Sequence, residues 1–156
     1  MKILNLKIFT QTISDKQIEN YLKLLSQLTT VYNDHIELNF MINTFRNKIK
    51  SLSDNTFIFI CMIDDKIIGS GTLIVENKII HKFGKVGHLE DIVIDSGYRG
   101  CGFGKDLINY LVDFAKNLHC YKVILDCNEE NVNFYQKCTP QNCTFKKANQ
   151  ISYYFN

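Results

Sequence analysis

Hydrophobic and polar residues follow a pattern along this chain that changes period several times. Residues 3–9 alternate as in a strand, and Ser14 with Gln17 forms the S-x-x-Q signature of a helix start. Apolar residues then recur at helical spacing, which predicts a helix closing near Thr29 and a second helix from about residue 36 to residue 52.

The rest of the chain predicts a sheet interleaved with helices. A continuous apolar run at 57–63 is typical of a strand buried on both faces, and Asp64-Asp65 turns the chain into an antiparallel partner at 67–75. Later segments predict strands at 89–94 and 121–126, an amphipathic helix at 107–118, a short helix from residue 132 to near 138, and last strands at 144–145 and 151–155. The order predicts one mixed α/β domain over residues 1–156.

The composition is that of an ordinary globular protein. Of the 156 residues, 46% are apolar, and 18 basic against 16 acidic side chains give a formal charge of +2. This balance argues against a nucleic-acid or membrane-surface partner. No apolar run approaches the roughly 20 residues that span a bilayer, so no membrane span is expected. An anionic ligand would need a local site.

The six cysteines predict free thiols. None forms a C-x-x-C pair and no Cys/His cluster has zinc-ligand spacing, so no metal is expected. Cys61 lies inside an apolar run, where a buried free thiol is common. Lys7 interrupts the first apolar segment and no small-residue cleavage site follows, so we expect no signal peptide and a reducing, cytoplasmic location.

A glycine-rich turn links the strand at 89–94 to the next helix. Gly100, Gly102 and Gly104 lack Cβ atoms, so the backbone can approach a ligand closely and adopt positive φ. N–H groups at a helix start carry the positive end of its dipole and would cradle a pyrophosphate. Arg99 and Lys105 would add formal charge to that cradle.

Other interpretations of this turn differ in strength. A tight turn without a ligand is a real alternative, because glycine enrichment is primarily a turn signal. The P-loop is excluded because Asp106 stands where that motif needs Ser or Thr. The even glycine spacing also fails the G-x-G-x-x-G fingerprint of dinucleotide-binding folds.

The R-x-x-G-x-G pattern of Arg99, Gly102 and Gly104 resembles the acetyl-coenzyme A motif of the GNAT superfamily. Further segments narrow the resemblance to the eukaryotic glucosamine 6-phosphate N-acetyltransferases of that superfamily. In order along the chain they are residues 28–31, 78–81, 87–94, 120–127 and 131–138. Several motifs in the right order are more specific than one glycine-rich loop.

This resemblance implies a fold and an activity. The fold is the α/β (α+β) GNAT fold, with a mixed, mostly antiparallel central sheet flanked by helices. The activity is transfer of acetyl from acetyl-CoA, as co-substrate, to the 2-amino group of D-glucosamine 6-phosphate. The resemblance further implies direct attack in a ternary complex, a homodimer and a place in UDP-N-acetylglucosamine biosynthesis.

The resemblance also assigns cofactor contacts. In the family, the strand before the glycine-rich loop splays from its neighbour and exposes backbone groups, which makes the Ile92 N–H a candidate for polarising the thioester carbonyl. The implied contacts are Ile92, Val93, Ile94, Arg99, Gly100, Cys101, Gly102, Phe103, Gly104, Lys105, Asn131 and Tyr135.

Asp126 and Tyr135 match the family's catalytic side chains. A carboxylate at Asp126 would orient the amine and stabilise the charge developing on it, and Tyr135 would protonate the departing thiolate. The alternatives are a capping aspartate at a strand end and an aromatic ring that packs the last helix. Asn131, at i−4 from Tyr135, would lie on the same helical face.

The implied substrate contacts are Thr29, Lys78, His81, Glu90, Asp91, Tyr121, Lys122 and Asp126. Each lysine taken alone would more often be solvated surface, and His81 could be an ordinary loop histidine. Glu90 and Asp91 are adjacent in a strand, so their side chains face opposite ways unless the strand is bulged.

The chain departs from the family at its end. Residues 139–144 intervene where the family continues directly to Gly-Phe, and residues 151–156 contain no Arg, although the family tail carries one for the partner's sugar phosphate. Lys146 or Lys147 could replace it, phosphate affinity could be weaker, or the acceptor could differ. The competing functions are therefore a GNAT enzyme for another amine and a non-catalytic acetyl-CoA-binding module.

Overall fold

The computed structural model describes residues 1–31 and 37–153. Its elements, in chain order, are β1 (Lys2–Asn5), α1 (Leu6–Phe9), α2 (Asp15–Leu25), α3 (Leu38–Lys50), β2 (Thr56–Ile63), β3 (Lys66–Asn77), α4 (Ile80–Phe83), β4 (Lys85–Ile94), α5 (Phe103–Asn117), β5 (Cys120–Leu125) and α6 (Val132–Lys137). Among these described residues, no helix is long and apolar enough to cross a membrane.

The five strands form one sheet in the order β1-β2-β3-β4-β5. The first four are antiparallel to their neighbours, and β5 runs parallel to β4. The mixed, mostly antiparallel sheet is therefore confirmed.

Two apolar clusters cover the two faces of the sheet. On one face, α2 and α3 pack Ile18, Leu22 and Ile42 against Ile60. On the other face, α5 buries Leu107 and Leu111 completely, together with Cys61 of β2. The buried thiol of Cys61 is confirmed, and burial raises its pKa to about 12. All six cysteines are free.

The N-terminal prediction was partly wrong. The strand predicted over 3–9 ends at Asn5, whose side chain accepts the N–H groups of Lys7 at 2.9 Å and Ile8 at 3.4 Å. These bonds cap α1, which turns the chain out of the sheet. The S-x-x-Q capping box of α2 is confirmed, although α2 ends at Leu25 rather than near Thr29.

The two last strands were also wrong where the structure describes them. Residues 144–145 and 151–153 are irregular and exposed, while residues 154 and 155 lie outside the described residues. A strand needs a neighbouring edge and an apolar face, and residues 141–153 bury neither face against the protein. The start of α3 likewise differs from the prediction, because residue 36 lies outside the described residues and the helix begins at Leu38.

Candidate active site

The sheet opens between β4 and β5. Their parallel pairing ends where Leu89 meets Leu125, which is the last residue of β5, but β4 continues to Ile94. The Asp95 N–H donates to the Ile68 carbonyl of β3 at 2.8 Å, so strand alternation turns the backbone groups of Ile94 and Ile92 toward the open side. We call this gap between β4, beyond Leu89, and the end of β5 the splay. It matches the separation of strands that the resemblance implied, and the Ile92 N–H lies at its edge.

A bulge in β4 places Glu90 and Asp91 on one face. Ser70 of β3 pairs with Val93 while Thr72 pairs with Glu90, so β4 holds one extra residue, and Asp91 has a φ of 52°. Leu89 and Ile92 both pack into the cluster under α5. The two intervening carboxylates therefore face α2, which is the bulged arrangement that a shared site requires.

A cavity of about 230 Å³ lies on this α2 face. Its polar side chains are Thr29, Thr72, Asp91 and Tyr21, and its walls are Leu25, Leu28, Val31, Phe45, Ile49 and Ile58. We call it the acceptor cavity. It brings two of the residues singled out in the sequence, Thr29 and Asp91, to one place. A cleft of about 340 Å³ between α1 and β2 is lined by none of the predicted site residues.

Sequence reasoning missed two hydroxyls of the acceptor cavity. Tyr21 belongs to the apolar stripe of α2 and Thr72 to a buried strand. The sequence therefore predicts both as core residues. The Tyr21 hydroxyl lies 2.9 Å from Ser70 Oγ, and burial raises the Tyr21 pKa to about 12. Only the presence of hydroxyls within otherwise apolar patterns could have signalled this lining.

Three carboxylates converge beside the cavity. Asp126 follows Leu125 directly and therefore lies next to Glu90, which follows the paired Leu89. Burial raises the pKa of Glu90, and the charges of Asp126 and Asp91 raise it further. Asp126 is exposed and accepts a hydrogen bond at 2.7 Å from Gln150. The arrangement can hold and orient a cationic or neutral amine.

The glycine-rich turn is open toward solvent. Gly100 and Gly102 have φ values of 79° and 87°, and a Cβ built on either meets nothing within 4 Å. Gly104 differs, because its Cβ would lie 3.0 Å from the Phe134 ring, so this glycine allows α6 to approach α5. Only the first two glycines thus leave backbone accessible to a ligand.

The start of α5 supplies unpaired donors. The first helical bond joins the Asp106 N–H to the Gly102 carbonyl at 3.1 Å, so the N–H groups of Phe103, Gly104 and Lys105 have no helical acceptor. Arg99 lies against β4, with Nε donating to the Ile94 carbonyl at 3.0 Å. This contact fixes the loop, a role that the sequence did not indicate. Cys101, in the same loop, is exposed.

Tyr135 lies in α6, which packs against the start of α5 through Phe134, and Asn131 precedes that helix. Tyr135 of α6 is half-buried in the cluster under α5, and its pKa is raised by burial and by the neighbouring thiols of Cys127 and Cys138. A tyrosine with a raised pKa keeps its proton through the neutral range. Asn131 is the N-cap residue of α6, one turn before Tyr135, and is exposed.

Lys78, His81, Tyr121 and Lys122 lie together at the other end of the sheet, and we call this group the basic edge. The His81 ring lies 4.4 Å from the Tyr121 ring, and Lys122 Nζ lies 5.9 Å from the same ring. Lys78 pairs with Glu76. Thr72 and Lys78 are six residues apart in sequence, about 20 Å along extended backbone. One chain therefore does not bring Lys78 or His81 to its own acceptor cavity.

Comparison with known proteins agrees with this geometry. The profile described as "Acetyltransferase (GNAT) family" matches residues 21–139. A glucosamine 6-phosphate N-acetyltransferase of Arabidopsis thaliana is 38% identical over 96% of this chain and 97% of its own length. Glucosamine 6-phosphate N-acetyltransferase 1 of Dictyostelium discoideum is 44% identical over 69% of this chain and 68% of its own.

Solved structures show the same fold. The crystal structure of glucosamine-6-phosphate N-acetyltransferase from Arabidopsis thaliana superimposes with a TM-score of 0.78 at 32% identity, covering 99% of this chain and 98% of the other. The profile match spans the acceptor cavity, the splay, the glycine-rich turn and α6 together. On this combined evidence, the chain belongs to the acetyltransferase (GNAT) family.

Proposed function

We propose that this protein transfers acetyl from acetyl-CoA to the 2-amino group of D-glucosamine 6-phosphate, giving N-acetyl-D-glucosamine 6-phosphate for UDP-N-acetylglucosamine biosynthesis. The relatives matched over most of the chain bear the name of this activity. The observation that carries the proposal is the bulge in β4, which turns Glu90 and Asp91 to the same face, where Asp91 lines the acceptor cavity.

The residues of the glycine-rich turn fit acetyl-CoA. The open backbone at Gly100 and Gly102 and the free N–H groups at the start of α5 would hold the pyrophosphate, and Lys105 would add charge. Cys101 and Phe103 lie in the same turn, and the open edge from Ile92 through Val93 to Ile94 would receive the pantetheine arm. When bound there, acetyl-CoA supplies the thioester.

The chain's own residues divide the chemistry among them. Glu90, Asp91 and Asp126 would orient the amine and accept or offset its charge, and the raised pKa of Glu90 makes it a stronger proton acceptor than an ordinary carboxylate. The Ile92 N–H would polarise the carbonyl at the splay. Tyr135, which stays protonated, would donate a proton to the thiolate. Asn131 would contact the cofactor from the same side as Tyr135.

We further propose a homodimer. Lys78 and His81 of the basic edge do not line the acceptor cavity of their own chain. Beside the basic edge, Ile79 and Phe83 are 82% and 76% exposed, which favours burial against another copy. Across such a dimer, the basic edge would face the partner's acceptor cavity. The six free thiols agree with a cytoplasmic location.

A second candidate is acetyl transfer to another small amine. It is favoured by a single observation, the absence of Arg and Lys from residues 151–156. If the acceptor is glucosamine 6-phosphate, its phosphate group would instead be bound by the basic edge and by Lys146 or Lys147. Lys147 binds both carboxylate oxygens of Glu129, at 2.6 and 2.7 Å, which leaves Lys146 as the better candidate.

The deciding experiment is thiol release from acetyl-CoA with a panel of amines. We expect glucosamine 6-phosphate to give a higher kcat/KM than glucosamine, with Asp91→Asn reducing both. Equal rates for the two sugars would favour the second candidate. Binding of acetyl-CoA without thiol release from any amine would indicate a non-catalytic binding module.

A further inference from the structure

The segment after α6 runs back beside the connection between β5 and α6. Gln150 Nε2 donates to Asp126 Oδ2 at 2.7 Å, and Lys147 Nζ contacts both oxygens of Glu129. From Asp126 to Glu129 the residue numbers rise, whereas their partners run from Gln150 back to Lys147. The two segments are therefore antiparallel and are fastened at two points.

Asp126 needs an orienting partner. It is exposed, it stands just past the end of β5, and the torsion that turns a carboxylate is broad. Gln150 occupies one carboxylate oxygen, which leaves Oδ1 for an acceptor amine. Alignment set before the substrate arrives does not have to be achieved during the reaction.

From these contacts we infer that Gln150 is a positioning residue that acts through Asp126 to align the acceptor amine. This inference rests on the proposed function, because it gives Asp126 a role in acetyl transfer. Lys147 and Glu129 hold the segment in place but do not touch Asp126. The two contacts therefore separate orientation of the carboxylate from attachment of the segment.

The test uses Gln150→Leu, which keeps side-chain size and removes the donor. We expect kcat with glucosamine 6-phosphate to fall about tenfold, the usual scale for a lost hydrogen bond to a charged group, with the KM for acetyl-CoA unchanged. Gln150→Lys keeps a donor of similar reach and is expected to retain most of the rate. Glu129→Gln, which weakens the other contact of the segment and changes no residue of the proposed site, is the matched control and is expected to change kcat by less than about twofold.

A double-mutant cycle distinguishes positioning from general support of the structure. In an Asp126→Asn background, Gln150→Leu is expected to have little further effect on single-turnover thiol release, because its target is already gone. Full additivity of the two changes would overturn the inference, as would an unchanged kcat in Gln150→Leu or an equal loss in Glu129→Gln. Melting temperatures of all variants check the fold.

The outcomes for the inference and for the proposed function are separable. If the wild-type protein releases no thiol with glucosamine 6-phosphate, the proposed function fails and the inference fails with it. If the wild-type protein turns over and Asp126→Asn is fully active, the assigned role of Asp126 is wrong. If Asp126→Asn is impaired and Gln150→Leu matches wild type, only the inference is wrong.

Discussion

At the scale of single residues, the burial and raised pKa of Tyr135 suit the proposed role of proton donor. Its ring is half-buried against α5 and its pKa is raised, so the hydroxyl is protonated wherever the enzyme would work. Tyr135→Phe preserves the ring and removes the proton. We expect kcat to fall about a hundredfold while the Kd of acetyl-CoA changes little, measured by thiol release and by calorimetry.

Tyr110→Phe is the matched control for Tyr135→Phe, because it removes a hydroxyl from a ring on the exposed side of α5. We expect it to keep the wild-type kcat. If Tyr135→Phe also keeps it, Tyr135 packs the last helix and donates no proton.

Glu90 gives a second residue-scale prediction, on stability. Its folded pKa is raised above the usual value of 4.5, so the folded protein binds more protons than the unfolded chain just above that pH. Glu90 therefore costs stability as pH rises through this window. We expect Glu90→Gln to raise the melting temperature at pH 7 relative to wild type and to lose that advantage at pH 4, measured by thermal denaturation.

Glu76 supplies a control for Glu90 with the opposite sign. Hydrogen bonds from Lys78 and His88 lower its pKa, so its contribution is present above the usual value and is lost as pH falls. Glu76→Gln should lower the melting temperature at pH 7 and not at acid pH. If the melting temperatures of Glu90→Gln and Glu76→Gln changed with pH in the same direction, the opposite pKa shifts assigned to Glu90 and Glu76 would be wrong.

At the scale of elements, the glycine-rich turn and α5 act as one unit for holding an anion. Gly102 has a φ of 87° and precedes the first residue of α5. A Cβ there meets open space, so Gly102→Val costs about 1–2 kcal/mol of stability through backbone strain rather than a clash. We expect its acetyl-CoA affinity to fall at least tenfold, by calorimetry, because the side chain blocks close approach of the ligand.

Gly97→Ala is the control for the turn, since Gly97 lies in the same loop without a positive φ, and its Cβ would meet only Asp95 Oδ1 at 3.3 Å. It should bind acetyl-CoA like wild type. Unchanged affinity in Gly102→Val would mean that the turn does not hold the cofactor.

Elements with strong patterns were predictable from the sequence, and local exceptions were not. The sequence predicted α2 and α5 from their apolar stripes and β2 from its continuous apolar run. These patterns are reliable because burial of one face, or of both, sets the spacing of apolar residues. The switch from β1 to α1 depends on one cap at Asn5, which competes with an alternating pattern.

The candidate site shows the same division. The positive φ of Gly102 could be anticipated because glycine adopts it without a steric penalty, although Gly104 of the same motif does not adopt it. From the sequence, a bulge at Asp91 could be stated only as what Glu90 and Asp91 would need to share one face. Whether it forms depends on the pairing of β4 with β3. The contact from Gln150 to Asp126 joins residues 24 apart in an irregular segment, for which no sequence period exists.

At the scale of the whole molecule, the sheet separates two groups that one acceptor would need. The acceptor cavity lies under α2, whereas the basic edge lies at the far end of β3 and β5. The exposed Ile79 and Phe83 adjoin the basic edge and would be buried in a dimer. A homodimer that places one copy's basic edge at the other's cavity reconciles these positions.

Mixing two inactive variants tests this arrangement. One carries Asp126→Asn, and the other carries Lys78→Ala with Lys122→Ala. If each site takes its carboxylate from one chain and its cations from the other, one of the two sites in a mixed dimer is intact. Random exchange of subunits makes about half of the dimers mixed, so about a quarter of wild-type activity is restored. The measurement is thiol release after subunit exchange, with light scattering to give the mass. Activity no greater than that of the separate variants would place both groups in one chain, and a monomeric mass would exclude the dimer.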